Sequence, residues 1–223
     1  MSNAKSLLSL ETVRGLNREH HPIRKAEFGD NPIKASVKWL EEALKLDTIN
    51  PNAAMLATSS KDARPNGRII LLKEITDQGF IFYTHYNSPK GCELEENPQA
   101  TLLFHWDQLA RQLRIAGKIE KLSQDKSDEY FKSRPKGSKI SASLSHQSRS
   151  VENRESLNQQ MDEMSEELEG EDIQRPDHWG GYVLIPEEIE FWQGQKDRLH
   201  DRIKFIADGS YPEITWKIAR LAP

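Results

Sequence analysis

The sequence predicts an α+β fold, mainly β, in which antiparallel strands form a barrel or sandwich decorated by helices. Short runs of β-branched and aromatic residues alternate with tight turns, a pattern typical of an antiparallel meander. These runs fall into two blocks on either side of a helical segment, without the strand–helix–strand alternation of a parallel sheet. With 223 residues, the chain is long enough for one large domain with its own core.

The N-terminal 30 residues are polar, charged and turn-rich, and we expect them to form a flexible arm. A single domain is predicted at residues 31–223. Its first helix begins where Asn31 can cap the chain and Pro32 suits the first turn. Apolar residues then recur at helical spacing, namely Ile33, Val37, Leu40 and Leu44.

The first strand block covers residues 53–122. Strands are predicted at 53–58, 68–75, 80–86, 99–106 and 112–122, separated by turn-forming segments. A short helix interrupts this block, since Ser88 can cap it and Pro98 marks its end.

The helical segment follows, with helices predicted at 123–133, 136–145 and 151–169. The last of these helices is strongly acidic, and its apolar stripe consists of Leu157, Met161, Met164 and Leu168. The second strand block then runs to the end of the chain, with strands predicted at 179–185, 189–194, 197–206 and 213–221.

Composition and charge narrow the range of functions. Hydrophobic residues make up 36% and charged residues 30%, which is typical of a globular chain. The net charge of −4 gives no overall basic excess for a nucleic-acid or anionic-membrane partner. A single cysteine, Cys92, cannot form an internal disulfide, and neither a signal peptide nor a membrane span is visible, so we expect a cytoplasmic protein. The GxGxxG, GxxxxGK[ST] and HExxH motifs are absent, and no metal site is predicted.

Three basic residues near the C terminus form a candidate site. In an extended strand Arg198, His200 and Arg202 share one face, with about 6.6 Å between successive members. Two guanidinium groups and an imidazole on one face suit an anion or an electron-rich ring. The alternative is a solvated edge strand in which Asp197 and Asp201 are surface partners.

A second candidate site combines Tyr130, Arg134 and Ser138, which share a face on a continuous helix. Pro135 is expected to turn the chain within this segment. The three side chains would make a cup for a phosphate group, although surface decoration is the favoured explanation for each residue taken alone.

A third set of polar residues borders strands: Arg68, Lys73, Lys90 and Gln112. Lys90 lies in the first turn of a predicted helix, where free backbone N–H groups favour an anion. On an ideal strand Arg68 and Lys73 point to opposite faces, and ordinary strand-end solubility is the alternative explanation. Aromatic faces on which a flat ring system could stack lie nearby, although core packing also accounts for them: Tyr83, Trp106, Trp179 and Trp192.

These separate signals occur within an ordered set of sequence strings. The strings are RIILLK, FYT, RQLRIAGKIEKLS, YFKSRP, HQS, WGG, IEFWQG, RLHDR and the terminal RLAP. In this order they closely resemble the pyridoxine/pyridoxamine 5′-phosphate oxidase family, over residues 31–223. The RLHDR string followed by a C-terminal RLAP is the most specific part of the resemblance.

The resemblance implies an FMN-binding split β-barrel and a homodimer with FMN at the subunit interface. It implies oxidation of pyridoxamine or pyridoxine 5′-phosphate to pyridoxal 5′-phosphate, with O₂ as electron acceptor and H₂O₂ as by-product. The chemistry of such an enzyme belongs to the cofactor, which the protein orients and polarises.

The resemblance also implies roles for individual residues. FMN would be held by Arg68, Ile69, Ile70, Leu71, Leu72, Lys73, Tyr83, Thr84, Lys90, Gln112, Gln147, Ser148, Trp192 and Arg202. The substrate would be held by Lys73, Tyr130, Arg134, Ser138, Arg198, Leu199 and His200. Of these, Arg198 and His200 would be the catalytic residues, beside the carbon that is oxidised.

Two positions depart from the family pattern. Pro89 stands where family members usually carry a basic residue, and His20 stands where the N-terminal arm usually has a tyrosine, in the segment Asn17-Arg18-Glu19-His20. Two alternative functions stay open: a non-catalytic carrier or sensor that binds FMN or pyridoxal phosphate, and an oxidase of another phosphorylated amine.

Overall fold

The computed structural model describes residues 20–168 and 172–223. Five α-helices occur within these residues: α1 Pro32–Ala43, α2 Pro89–Glu96, α3 Gln124–Ser133, α4 Lys136–Leu144 and α5 Arg154–Glu167. Nine strands occur within the same residues: β1 Ala53–Ser59, β2 Pro65–Leu71, β3 Glu74–Ile75, β4 Phe80–His85, β5 Gln99–Trp106, β6 Arg111–Lys121, β7 Trp179–Gln193, β8 Asp201–Asp208 and β9 Thr215–Leu221.

Three of the helices, α1, α2 and α3, begin where the sequence predicts. The Asn31 side chain accepts hydrogen bonds from the first free N–H groups of α1, and Pro32 occupies the first turn. Ser88 accepts from the backbone N–H of Gly91 at the start of α2. Ser123 caps α3 in the same way. These predicted starts are therefore confirmed.

All nine strands pair antiparallel in one sheet, and the long strand β7 is where this sheet divides. Strand β6 pairs with β7 along nearly its whole length. On the other edge of β7, residues 179–184 pair with β4, whereas residues 188–193 pair with β8. The sheet therefore curls and opens into two branches, and the predicted α+β fold of antiparallel strands decorated by helices is confirmed.

The division coincides with an irregularity in the β6–β7 ladder. The register shifts between Ala116 and Gly117, opposite Pro186, which has no N–H to donate. The two backbones come so close here that a Cβ atom on Gly117 would lie 2.1 Å from the carbonyl oxygen of Ile185. Only glycine fits at this position.

The main core lies between the sheet and α1, and it includes part of the predicted arm. The Phe28 ring centroid lies 4.4 Å from that of Phe191, and the Trp39 and Phe191 centroids are 5.0 Å apart. Phe28 is only 6% exposed and Ile23 only 4%. Packing of the domain thus reaches back to Ile23, ahead of the predicted boundary at residue 31. Residues 1–19 lie outside the described residues, and the arm stays a prediction there.

A smaller core joins α3, α4 and α5 to the start of β7. Phe131, Ile140 and Trp179 are buried in it, and the predicted α5 stripe residues Met161 and Met164 pack against it. This cluster forms one wall of the site described below. Within residues 20–168 and 172–223, no helix combines the length and apolar character that a membrane crossing requires.

Candidate functional site

A cavity of about 810 Å³ lies between β2, β4, the start of α2 and the α3–α4 junction. It brings together most of the residues predicted to hold FMN or the substrate phosphate. Those that line it are Arg68, Ile69, Ile70, Leu71, Lys73, Tyr83, Thr84, Lys90, Tyr130, Arg134, Ser138, Gln147 and Ser148. Below, this space is called the main cavity.

The end of β2 explains how Arg68 and Lys73 reach the same cavity. The strand ends at Leu71, and the backbone N–H of Lys73 donates to the carbonyl oxygen of Ile81 on β4. The chain has therefore left the alternation of an ideal strand before Lys73. Leu72 is predicted to contact FMN together with its neighbours in β2. In the structure it is 3% exposed and belongs to the core, so it does not line the main cavity.

Arg68 is held by three acceptors at the floor of the main cavity. Its Nη1 donates to the carbonyl oxygen of Leu56 at 3.1 Å and to the Thr58 hydroxyl, and its Nη2 lies 3.1 Å from Glu93 Oε2. Burial raises the pKa of Glu93, but hydrogen bonds from Thr58, Asn66 and Arg68 outweigh it and hold the pKa below its usual value. Sequence reasoning missed Glu93, whose only signal is its position three residues after Lys90.

Lys90 projects from the first turn of α2 and is 7% exposed. Its ammonium group donates to Gln147 Oε1 at 2.6 Å and to the hydroxyls of Thr84 and Ser88 at 3.2 Å each. Burial, followed by the positive charge of Arg68, lowers the pKa of Lys90 to about 8. The structure thus places three predicted FMN contacts, Thr84, Lys90 and Gln147, in one hydrogen-bonded cluster.

The predicted phosphate cup is assembled from two helices, because the chain breaks at Pro135. Helix α3 ends at Ser133 and α4 begins at Lys136, so Tyr130 and Ser138 do not share a continuous helical face. Both side chains nevertheless line the main cavity.

Arg134 lies at this break and its guanidinium group packs on aromatic rings. The Cζ atom is 4.6 Å from the centroid of Trp179 and 5.6 Å from that of Phe131. Its Nη1 is buried and has no hydrogen-bond partner among the described residues. An unsatisfied buried donor costs about 1–3 kcal/mol, so the site is suited to an anionic acceptor. Burial lowers the pKa of Arg134, although the neighbouring Tyr130 opposes this shift.

Three nearly parallel aromatic rings form a wall of the main cavity. The Tyr83 ring centroid lies 3.8 Å from that of Tyr130 and 5.5 Å from that of Trp179, with interplanar angles of 14° and 12°. Burial raises the pKa of Tyr83 to about 12, so this phenol is protonated at neutral pH. By contrast, Trp106 is buried and donates to the Pro51 carbonyl oxygen, which fits the core-packing explanation.

The remaining predicted FMN contacts lie elsewhere on the chain. Gln112, Trp192 and Arg202 line a separate cavity of about 280 Å³, called here the second cavity. The buried carboxylate of Glu190 holds Arg202 Nε at 2.7 Å and Arg114 Nη2 at 2.5 Å. Burial raises the pKa of Glu190, but the hydrogen bonds from Arg202 and Arg114 outweigh it and keep the pKa below its usual value.

The prediction that Arg198, His200 and Arg202 share one strand face is wrong. Residues 196–198 form a 3-10 turn in which Asp197 has a φ of 55° and Arg198 a φ of 62°. These left-handed conformations turn the chain, and β8 begins only at Asp201. Of the three basic residues, only Arg202 lies in the strand.

The loop before β8 still places His200 beside the second cavity. Its ring centroid lies 4.6 Å from that of Trp192, and its Nδ1 accepts a hydrogen bond from the Gln195 backbone N–H at 3.0 Å. Arg198 and Leu199 are exposed in the same loop. His200 therefore lies against Trp192, and neither His200 nor Arg198 lines the main cavity, which contains the predicted phosphate cup.

Both departures from the family pattern lie near these sites. Pro89 lines the main cavity in the position of the expected basic residue. Residues 17–19 of the arm motif lie outside the described residues, and the backbone N–H of His20 donates to Gln195 Oε1 at 3.2 Å.

Comparison with known proteins identifies the family. A family model described as pyridoxamine 5′-phosphate oxidase matches residues 40–167. A second, described as the pyridoxine 5′-phosphate oxidase C-terminal dimerisation region, matches residues 179–223. The chain belongs to the pyridoxamine 5′-phosphate oxidase family. Family membership confirms FMN as the predicted cofactor and an oxidoreductase as the predicted class of protein.

Relatives match almost the whole chain. A pyridoxine/pyridoxamine 5′-phosphate oxidase from Nostoc sp. is 45% identical over 214 residues, which cover 95% of this chain and 99% of the relative. The protein of the same name from Cupriavidus necator is 46% identical over 201 residues, covering 90% and 93% of the two chains.

Solved structures agree with the oxidase-family fold. PhzG from Burkholderia lata, solved in complex with tetrahydrophenazine-1-carboxylic acid, is 33% identical, with a TM-score of 0.83 and coverage of 90% of this chain and 98% of that one. A pyridoxamine 5′-phosphate oxidase-related, FMN-binding protein from Nostoc punctiforme has a TM-score of 0.69 at 12% identity, over 86% of this chain and 97% of that one, and supports the fold alone.

Proposed function

We propose that this protein oxidises pyridoxamine 5′-phosphate or pyridoxine 5′-phosphate to pyridoxal 5′-phosphate, with FMN as cofactor, O₂ as electron acceptor and H₂O₂ as by-product. The observation that carries the proposal is the main cavity, which contains two separate groups of cations. Arg68 and Lys90 form one group, since the charge of Arg68 acts on Lys90, and Arg134 lies in the cup with Tyr130 and Ser138. Two phosphorylated molecules, a cofactor and a substrate, account for two such groups.

The first group fits the phosphate of FMN. Among the residues that the structure describes, Lys90 donates to the neutral acceptors Gln147, Thr84 and Ser88, and Arg68 is oriented by Glu93 and Thr58. Both cations can therefore give charge-assisted hydrogen bonds to a phosphate while Thr84 and Gln147 hold the Lys90 ammonium group. Bound FMN supplies the two-electron redox chemistry of the reaction.

The second group fits the phosphate of the substrate. The unpartnered Nη1 of Arg134 gains an acceptor, and the Tyr130 and Ser138 side chains line the same space, with Lys73 at its edge. The Trp179 ring packs against the Arg134 guanidinium group and thereby restricts its orientation. Anchoring the phosphate in this way would hold the substrate in a fixed orientation, which lowers the entropic part of the barrier.

Arg198 and His200 are proposed to position the substrate ring and to stabilise charge on its substituents. Because their loop lies beside the second cavity, we infer that they act on the main cavity of a partner copy. Gln112, Trp192 and Arg202 would complete the FMN site in the same way. The protein would then be a homodimer with FMN at the interface.

The length of β7 supports this arrangement. Trp179 at its start lines the main cavity and Trp192 near its end lines the second cavity. Thirteen residues of extended chain span roughly 40 Å, which is too far for one flavin to contact both ends within one chain. Two chains related by a two-fold axis can bring the end of one β7 to the start of the other. The description of the C-terminal match as a dimerisation region also supports a homodimer.

The test is to load the purified protein with FMN, supply pyridoxamine 5′-phosphate in air, and follow pyridoxal 5′-phosphate and H₂O₂ together. Equal formation of both products is expected in air. Without O₂ no H₂O₂ should form, and pyridoxal 5′-phosphate should not exceed one equivalent per bound FMN, because the reduced flavin is not reoxidised. Arg134→Ala should raise KM strongly, and Arg154→Ala, at an exposed position on α5, is the matched control. Flavin binding without product would instead support the carrier or sensor alternative.

The PhzG structure is the reason to test a second substrate class. Its ligand, tetrahydrophenazine-1-carboxylic acid, is a carboxylic acid without a phosphate group, whereas the proposed substrate carries a phosphate. The cationic cup around Arg134 favours the phosphate, which has more negative charge and more acceptor oxygens. Supplying tetrahydrophenazine-1-carboxylic acid in the same assay separates the two, since a preference for it would overturn the proposed substrate. We also infer a role in vitamin B6 metabolism, which follows from the proposed product, and a cytoplasmic location, which the single cysteine supports.

A further inference from the structure

The loop between β7 and β8 holds an unfavourable backbone conformation. Asp197 and Arg198 are consecutive non-glycine residues with positive φ, and each such residue costs about 1 kcal/mol or more. A conformation of this kind persists only where its surroundings hold it in place. At its start, the loop is fixed by the backbone N–H of Gly194, which donates to the Ala110 carbonyl oxygen at 2.7 Å.

The other end of the loop is held by the carboxylate of Asp201, whose side chain is 12% exposed. Its Oδ2 accepts from Gln195 Nε2 at 2.9 Å and from the backbone N–H of Ile23 at 3.3 Å. Its Oδ1 accepts from Arg220 Nη1 on β9. Arg220 in turn donates through Nη2 to the carbonyl oxygen of Ile23 at 2.6 Å. One carboxylate thus joins the loop, the N-terminal segment and the last strand.

Gln195 connects this carboxylate to His200. The Gln195 backbone N–H donates to His200 Nδ1 at 3.0 Å, while the Gln195 side chain is held between Asp201 and the backbone N–H of His20. A neutral imidazole whose Nδ1 accepts a hydrogen bond carries its proton on Nε2. The connection therefore sets both the orientation of the ring and its tautomer.

We propose that Asp201 is a positioning residue which, through Gln195, fixes the tautomer and orientation of His200 and the turn that presents Arg198. The inference rests on the proposed function, because His200 and Arg198 act on the substrate there. Asp201 itself touches neither the second cavity nor the main cavity among the described residues. All three groups around the carboxylate are donors, so an asparagine, whose amide nitrogen is also a donor, cannot satisfy them all.

The experiment compares Asp201→Asn with Asp208→Asn, which alters an exposed β8 carboxylate that pairs with Lys217. Asp201→Asn should lower kcat/KM for pyridoxamine 5′-phosphate tenfold or more and leave the Kd for FMN within twofold. Asp208→Asn should change neither. In a His200→Ala background the added effect of Asp201→Asn should shrink, because the part that acts through His200 is already lost and only the part that acts through the Arg198 turn remains.

A second readout does not depend on catalysis. Nitrogen-15 NMR of the FMN-loaded protein, with His200→Gln used for assignment, should show a single Nε2–H tautomer in the wild type and a mixture in Asp201→Asn. If the wild type turns over no substrate, the proposed function is wrong. The NMR readout still tests the positioning role in that case, because it does not require turnover. If Asp201→Asn does not fold, Gln195→Met takes its place in the test. This variant keeps the Asp201–Arg220 pair and should give the same mixture of tautomers. An unchanged tautomer in every variant that folds would overturn the proposal.

Discussion

Replacing Lys90 with methionine tests whether the main cavity holds the phosphate of FMN. The Lys90 ammonium group is buried, and it lies 2.6 Å from Gln147 Oε1. A charge-assisted hydrogen bond to a phosphate oxygen contributes about 1.5–3 kcal/mol. Losing it should weaken FMN binding by about 10- to 150-fold at pH 7. Methionine keeps most of the apolar stem and removes the ammonium group together with its hydrogen bonds to Gln147, Thr84 and Ser88.

The pKa of Lys90 adds a pH signature to this loss of affinity. Burial, and then the charge of Arg68, lowers that pKa to about 8 in the protein. A phosphate monoester stays doubly charged above its second pKa of about 6, so only the lysine changes charge between pH 7 and 9. Since binding requires the protonated amine, the Kd for FMN should rise roughly tenfold across this window as the pH increases.

Titration of the flavin-free protein into FMN, followed by flavin fluorescence at pH 7, 8 and 9, measures both effects. Lys90→Met should bind weakly and with little dependence on pH in this range. Lys34→Met, at an exposed position on α1, should behave like the wild type. A pH dependence that persists unchanged in Lys90→Met would refute the assignment of Lys90 to the phosphate.

Two further predictions concern stability. Burial, and then the stacked ring of His178, lowers the pKa of His85 to about 4. An unfolded histidine titrates near 6.5, so between pH 6.5 and 4 the unfolded state binds the proton more tightly than the folded state does. The free energy of unfolding is therefore unaffected by this group above pH 6.5 and declines as the pH falls towards 4. Urea denaturation of the flavin-free protein should show a loss of about 2 kcal/mol from this group at pH 5, which His85→Gln should largely abolish. Phe28→Ala should cost about 3 kcal/mol or more in the same assay at pH 7, because Phe28 packs on Phe191, whereas a Leu44→Ala control at an exposed position should cost little.

Local chemistry made much of the fold predictable. Asn31 and Ser88 each stand before a proline that suits a first helical turn, and both cap helices in the structure. Turn-forming segments separated the strands in the same way. The burial of Ile23 and Phe28 was not visible in the sequence, since two apolar residues in a polar segment carry no periodic signal.

The parts of the site that escaped prediction depend on long-range contacts. Nothing in the residue types of Asp197 and Arg198 signals a left-handed turn, because such a turn is stable only when distant groups hold it. The Asp201–Arg220 contact and the Arg68–Glu93 pair likewise join residues that are remote in sequence. The same applies to Arg68 and Lys73, whose common cavity depends on where β2 ends.

The separation of the site between two cavities leads to a last prediction, about complementation. Arg134 lines the main cavity, whereas Arg198 lies in the loop beside the second cavity. If each active site takes Arg134 from one protomer and Arg198 from its partner, a heterodimer of Arg134→Ala and Arg198→Ala chains contains one intact site and one doubly altered site.

Random pairing of the two chains makes about half of the dimers mixed, so a co-expressed mixture should recover about a quarter of wild-type activity. Each variant alone should be nearly inactive when the assay uses a substrate concentration near the wild-type KM. The two chains can carry different affinity tags, so that purification through both tags isolates the mixed dimers and should raise the recovery to about half. If both arginines served the active site of their own chain, no mixture would recover activity, because every site would lack one of them. Complementation thus distinguishes a shared site from two independent ones without requiring a structure of the dimer.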